Sequence, residues 1–137
     1  MESKGRNESG GQLESSGIHS YRDLKVWQQA VTLAEDCYRI NRQFPKEELY
    51  GMTSQVRRSA ASVAANIAEG HGRNSRGEYI QFLRVAQGSL KELETHLILA
   101  TRVGLMSSAA IQNALQQSEG LGKMLRALIR SLERGKN

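Results

Sequence analysis

The sequence predicts an all-α fold, specifically an antiparallel up-down-up-down four-helix bundle. Apolar residues recur at three- to four-residue spacing in four segments, and a single proline, Pro45, interrupts the chain. Ala, Leu, Glu, Gln, Arg and Lys dominate the body, and no segment shows the β-branched alternation of a strand. Four amphipathic helices joined by short turns bury their apolar stripes most simply in a bundle.

The bundle is expected to form one domain over residues 20–134. Residues 1–19 are rich in Gly, Ser and Glu without an apolar period, so we expect a disordered N-terminal extension, and residues 135–137 should fray. No stretch has the length and apolarity of a membrane span or signal peptide, which favours a cytoplasmic protein without membrane contact.

The first helix is expected to begin near Ser20 or Tyr21 and to end before Phe44 and Pro45, because the residue before a proline leaves the helical region. Trp27 is predicted to anchor the core and Cys37 to be a small buried hydrophobe rather than a nucleophile. The predicted inward stripe is Leu24, Trp27, Ala30, Val31, Ala34, Cys37, Tyr38 and Asn41.

The second helix contains an unusual stretch of small side chains within residues 55–73, QVRRSAASVAANIAEGHGR. Small residues allow neighbouring helices to approach closely, so the polar residues among them are expected to lie against other backbones. Gly70 and Gly72 offer the left-handed conformation that ends a helix. Alternatively, Gly70 lies at a helix contact. The predicted inner stripe is Met52, Val56, Ser59, Ala60, Val63 and Ile67.

Ser75, with Glu78 three residues later, is predicted to cap a long third helix. The mid-helix Gly88 and Ser89 predict close backbone approach, because glycine costs roughly 1 kcal/mol there relative to alanine. The predicted inward residues are Tyr79, Phe82, Leu83, Ala86, Leu90, Leu93, Leu97 and Ala100. Four apolar residues lie off this stripe: Ile80, Val85, Ile98 and Leu99. They predict that the third helix either is central in the bundle or also lies at a subunit interface.

The fourth helix is expected to follow a turn at 104–108, with Ser107 or Ser108 as its cap. The predicted inward residues are Ile111, Leu115, Ser118, Gly122, Leu125, Leu128, Ile129 and Leu132. Lys123, Arg126, Arg130 and Arg134 are predicted to crowd the outer face, where cations also interact favourably with the helix dipole.

The predicted bundle is basic. Residues 21–137 hold 17 basic and 11 acidic side chains, whereas residues 1–20 have a net charge of −1. A positive body favours a polyanion such as RNA, although a solvated basic surface explains the same excess. Taken singly, each arginine fits a solvated or ion-paired role better than ligand binding. The candidate RNA-binding residues are Arg57, Arg58, Arg73, Arg76, Lys123, Arg126, Arg130 and Arg134.

The sequence predicts no enzyme, cofactor or metal site. The paired Glu-x-x-His motifs of di-metal bundles are absent; Glu92 and His96 could share one helical face, but Glu94 points elsewhere. No nucleophile elbow, phosphate loop or dinucleotide fingerprint occurs. One Trp, four Tyr and two Phe are too few for a base-stacking platform, so phosphate and shape contacts should dominate any RNA binding.

Four segments resemble the proteins encoded in intervening sequences of bacterial 23S rRNA genes: DLKVWQQA at 23–30, FPKEELYG at 44–51, SQVRRSAASVAANIAEGHGR at 54–73 and EYIQFLRVAQGSLKELETHL at 78–97. The resemblance implies a closed four-helix bundle that forms a homopentamer, often without enzymatic activity. A related branch, the accessory proteins of diversity-generating retroelements, implies a basic pentameric barrel that binds a reverse transcriptase and its RNA. The shared positions map to Gln55, Arg57, Arg58, Asn66, Glu69, Gly70, Arg73, Gly88, Ser89, Glu92 and Glu94.

Two hypotheses follow. The first is a non-enzymatic, RNA-associated homopentamer that uses its arginine-rich surface. The alternative is a structural or protein-interaction module, accessory to a reverse transcriptase or another partner protein, which the off-stripe apolar residues motivate. The candidate structural polar or packing residues are Gln55, Asn66, Glu69, Gly70, Gly88, Ser89, Glu92 and Glu94.

Overall fold

The computed structural model describes residues 18–135; most of the predicted N-terminal extension and residues 136–137 lie outside them. Within this range the chain forms four α-helices and no strand, which confirms the predicted all-α fold. The helices are α1 Lys25–Asn41, α2 Ser54–His71, α3 Arg76–Arg102 and α4 Ser108–Arg134. Both α1 and α3 pack against α2 and α4, so the four helices surround one apolar core.

The first helix begins later than predicted because the cap belongs to a separate turn. The Ser20 hydroxyl accepts a hydrogen bond from the Arg22 amide (3.1 Å), and the Asp23 carboxylate accepts from the Ser20 amide (3.2 Å). These bonds close a capping box on a short 3₁₀ helix, Tyr21–Asp23. Leu24 is then extended (ψ 126°), so α1 begins at Lys25.

The buried stripe of α1 is rotated from the predicted one. It consists of Val26, Ala30, Leu33, Cys37 and Asn41. Trp27, predicted to anchor the core, packs against it but is only partly buried, and its ring lies edge-on to Tyr21 at 5.1 Å. Tyr38, also predicted inward, is 43% exposed. The aliphatic stripe is buried instead because Trp and Tyr can keep their polar atoms in water at the edge of the core.

The connection from α1 to α2 is a compact, irregular turn. Phe44 is buried, and after Pro45 the chain forms a 3₁₀ helix, Lys46–Glu48, and a wide turn, Leu49–Thr53. The Glu48 carboxylate accepts a hydrogen bond from the Met52 amide (3.2 Å), which holds this turn against the start of α2.

The helices α2 and α3 approach each other closely at Gly70. A Cβ atom on Gly70 would lie 2.7 Å from Phe82 Cβ and 3.2 Å from the Tyr79 carbonyl oxygen. Gly70 therefore lies at a helix contact. The alternative that Gly70 and Gly72 adopt the left-handed conformation is wrong, because α2 continues through His71 and Gly72 has φ −83°.

The predicted close approach at Gly88 is also wrong. Gly88 is exposed, and a Cβ there would meet no atom within 4 Å. Its neighbour Ser89, about 100° further around the helix, faces α2 instead. The Ser89 hydroxyl lies 2.8 Å from the Ser62 hydroxyl, and the Asn66 amide donates to Ser62 Oγ at 3.0 Å. Hydroxyl and amide groups therefore bridge α2 and α3.

We predict that Gly70→Ala destabilises the bundle although alanine is the better helix former. The new methyl group would overlap a Cβ and a backbone oxygen, neither of which can rotate away, and such overpacking costs about 1–3 kcal/mol. Chemical denaturation measures this loss in the free energy of unfolding.

The matched control is Gly120→Ala on α4, where the new Cβ would meet nothing within 4 Å. It should gain roughly 0.5–1 kcal/mol from helix propensity alone. Equal stabilisation by both substitutions would contradict the tight contact at Gly70.

Candidate nucleic-acid interface

Arg58 links α2 to α3 through a polar cluster. Its guanidinium donates to Gln55 Oε1 (2.7 Å) and to Glu92 Oε2 (2.5 Å). His96 Nε2 lies 3.6 Å from the same Glu92 oxygen. The hydrogen bond from Arg58 holds the pKa of Glu92 below its ordinary value of 4.5, against a smaller opposing effect of burial. One of the predicted RNA-binding arginines is therefore used to join two helices.

Arg57 points away from Arg58, as the rotation of about 100° per residue requires. Its guanidinium carbon lies 4.8 Å from the centroid of the Tyr38 ring, a cation–π contact. Its Nε atom is buried and has no hydrogen-bond partner in residues 18–135. This side chain packs across α1 and α2 rather than extending into solvent.

The two arginines of the α2–α3 turn region also contact the bundle. Arg73 donates to Glu69 Oε2 (2.7 Å), and its guanidinium carbon lies 4.7 Å from the centroid of the Phe82 ring. Arg76 donates to the carbonyl oxygen of Gly135 at 3.1 Å and so ties the start of α3 to the end of α4. Both cations are held by neighbouring groups.

The outer face of α4 is different. Lys123, Arg126, Arg130 and Arg134, which we call the basic stripe, are all exposed and fall within an arc of about 80° on the helix. No carboxylate among residues 18–135 pairs with any of them, since the intervening Glu133 accepts from Arg84 of α3 at 2.6 Å. The basic stripe is therefore the largest set of unneutralised cations on one helix.

Beside the basic stripe lies a half-open groove of about 360 Å³ between α3 and α4, which we call the α3–α4 groove. Its lining includes Lys91, Glu94, Ile98, Leu115, Ser118, Glu119, Gly122, Lys123 and Arg126. Glu94 is partly buried there; it accepts a hydrogen bond from the Ser118 hydroxyl, and Lys91 Nζ lies 3.3 Å from its Oε1. Two cations of the basic stripe thus border a pocket that contains a carboxylate.

Potential metal ligands, the Cys37 thiol and the apolarity of the helices are the remaining features of residues 18–135. Among residues 18–135, no three His, Cys, Asp or Glu side chains converge so that they could hold a metal ion. Burial raises the pKa of the Cys37 thiol to about 12, so this group is a poor nucleophile near neutral pH. Within the same residues, no helix combines the length and apolarity needed to cross a membrane.

The predicted polar residues form four separate groups, one of which is the Glu69–Arg73 pair. Gln55, Arg58 and Glu92 meet at one point along the α2–α3 contact. Asn66 reaches Ser89 only through Ser62, which lies in the stretch of small side chains of α2. Glu94 faces α4 instead and meets Ser118, a polar residue on an otherwise apolar inward stripe. That interruption of the stripe was the signal that could have indicated a polar site.

We predict a pH-dependent loss of stability for Glu92→Gln. Because folding lowers the pKa of Glu92, its contribution is present above the unfolded value near 4.5 and disappears as the pH falls through the lower folded value. The variant should lose up to about 1 kcal/mol near neutral pH, as expected for a partly exposed pair.

Denaturation across an acid pH series checks this prediction. Glu35→Gln, which removes an exposed carboxylate from α1, should leave stability unchanged throughout. A Glu92→Gln deficit that persists undiminished in strong acid would show that the ion pair is not its cause.

Known proteins place these features in a family context. A crystal structure at 1.70 Å of a protein of unknown function from the S23 ribosomal protein family of Bacteroides thetaiotaomicron has the same fold, with a TM-score of 0.71. The two sequences are 24% identical, and the match covers 76% of this chain and 97% of that one. A search of curated proteins finds no match.

The sequence itself matches a family model over residues 22–127, most of its length. That range includes all four helices except the end of α4. The chain belongs to the family of 23S rRNA-intervening sequence proteins.

Proposed function

We propose that the protein is a non-enzymatic, RNA-associated homopentamer that works in the cytoplasm and binds RNA through the basic stripe of α4. The observation that carries this proposal is that Lys123, Arg126, Arg130 and Arg134 share one exposed face without a carboxylate partner in residues 18–135. Cations that are not already neutralised can release counterions from a phosphate backbone, which drives nucleic-acid binding. Of the eight candidate cations, the other four already contact groups of the bundle, so the contacts favour these four.

Assembly would strengthen such binding. Five chains with a formal net charge of +5 each would carry +25. A ring concentrates this field, and several weak phosphate contacts on one RNA act together through a high effective concentration. Exposed apolar residues support self-association: Val85 and Leu99 of α3 and Val103, which follows it, are 49%, 44% and 61% exposed. They lie within about 40° around the helix and share one face, on which the partly buried Glu92 lies between Val85 and Leu99.

A protein-interaction module is the second candidate function, accessory to a reverse transcriptase or another partner. The same face of α3 favours it, since exposed apolar residues mark protein contacts as well as subunit interfaces. Two of the residues that motivated this alternative do not belong to the face: Ile98 lines the α3–α4 groove and Ile80 is partly buried against the core. The link to retroelement accessory proteins stays a prediction.

The first prediction for this function compares two double variants that each remove two positive charges. Arg130→Gln/Arg134→Gln should weaken binding to a structured RNA hairpin roughly tenfold near 50 mM salt and reduce the slope of log affinity against log salt by about one per lost phosphate contact. Filter binding over a salt series measures both quantities.

The matched control is Arg42→Gln/Arg102→Gln, which changes exposed arginines outside the basic stripe. It should alter the affinity much less. Equal losses in both variants would mean that net charge, not the basic stripe, determines binding, and a wild-type protein that retains no RNA at this salt would exclude the function.

The second prediction concerns assembly. Wild-type protein should scatter light as a particle of five chains, and Val85→Asp/Leu99→Asp should yield smaller species, because carboxylates would be buried in the interface. Helical circular dichroism should be unchanged, since both positions are exposed on one chain.

Tyr50→Asp serves as the control because Tyr50 is 93% exposed and lies before α2 rather than on α3. It should leave the particle mass unchanged. Dissociation by Tyr50→Asp, with intact assembly of the α3 variant, would place the interface elsewhere.

A further inference from the structure

The α3–α4 groove has features that phosphate binding by the basic stripe would not require. Its lining combines the partly buried carboxylate of Glu94, the apolar side chains of Ile98 and Leu115 and the exposed cations of Lys123 and Arg126, around about 360 Å³. A site for phosphate alone would gain nothing from a carboxylate, which repels anions. We propose that this groove binds a guanine base of single-stranded RNA, with Glu94 and Lys91 reading the base and Lys123 and Arg126 holding the adjacent phosphate.

The hydrogen-bonding groups in the groove match guanine. An ionised carboxylate is a pure acceptor with about four lone-pair sites, and Glu94 uses only two of these, towards Ser118 and Lys91. Lys91 Nζ, 3.3 Å from Glu94 Oε1, is a donor beside this pair of acceptors. The Watson–Crick edge of guanine presents an acceptor, O6, beside two donors, N1–H and the 2-amino group. Adenine, cytosine and uracil each place an acceptor opposite one carboxylate oxygen.

The shape and charge of the groove fit a nucleotide. Ile98 and Leu115 supply apolar surface for the faces of a base. Gly122 is the lining residue without a side chain, and a Cβ there would make ordinary contacts of 3.7 Å with Arg126 Nη1 and Leu90 Cδ2. Arg126 is exposed and lines the groove, so its guanidinium can contact a phosphate bidentately.

This inference rests on the proposed RNA association and adds base recognition at one end of the basic stripe. The test uses the full-length protein and oligouridylates that carry one central guanosine, inosine or adenosine. Wild-type protein should prefer guanosine over adenosine about tenfold, with inosine between them because it lacks the 2-amino group. Fluorescence anisotropy measures the three affinities.

Two variants test whether the preference for guanosine depends on the groove. Glu94→Gln replaces one acceptor by a donor and should abolish the preference for guanosine, whereas Glu35→Gln makes the same charge change on the exposed face of α1, outside the groove, and should retain it. Gly122→Met should also abolish it by filling the groove, and because methionine is a better helix former than glycine, this variant should remain folded. Thermal unfolding of each variant confirms an intact bundle.

The possible results distinguish a failure of the groove inference from a failure of the proposed RNA function. RNA binding with no preference among the three bases, or with a preference that Glu94→Gln and Gly122→Met leave intact, overturns the inference about the groove and leaves the RNA function standing. No binding to any RNA overturns the RNA function instead. Calorimetry with guanosine 5′-monophosphate then tests the groove alone: binding that Glu94→Gln abolishes supports it, and no binding overturns it.

Discussion

The close contact between α2 and α3 constrains the rest of the bundle. At Gly70 the two helices leave no room for a Cβ, and further along the same contact Ser59 and Ala60 are almost completely buried. A buried hydroxyl normally carries a desolvation cost, but Ser59 donates to the carbonyl oxygen of Gln55 in its own helix at 2.8 Å. Small residues thus fill this contact, the buried Ser59 hydroxyl is satisfied within its own helix, and longer polar side chains such as Arg58 lie at the edges of the contact.

Arginines that lie at the edges of this contact pair with carboxylates of the bundle. Arg58 lies at the edge of the α2–α3 contact and reaches Glu92, and Arg73 lies near its end and reaches Glu69. On α4 the acidic residue nearest the C-terminal end, Glu133, is paired across to α3. The cations of the basic stripe are left without an internal partner in residues 18–135. Ion pairs of these arginines and of Arg84 therefore separate the neutralised cations from those that remain available to an external polyanion.

The sequence was sufficient for the fold but not for the rotation of each helix. Three- to four-residue periodicity located all four helices, and in α2 and α3 it also identified the buried face. In α1 two apolar stripes lie about 100° apart, and only contact with the neighbouring helices determines that Leu33 rather than Ala34 is buried. Gly88 and Ser89 posed the same problem, since either residue could have faced α2. A glycine indicates close approach only when the rotation of its helix is known.

The candidate site was harder to predict for the same reason, because its parts come from different helices. Glu94 and Ser118 are far apart in the sequence, and neither shows by itself that it faces the other. With few aromatic residues, the chain has little capacity to bind bases by stacking. A groove that positions a carboxylate and an ammonium group reads a base edge by hydrogen bonding instead. In a homopentamer the groove would recur in every subunit, so weak recognition of single guanines along one RNA would sum to substantial selectivity.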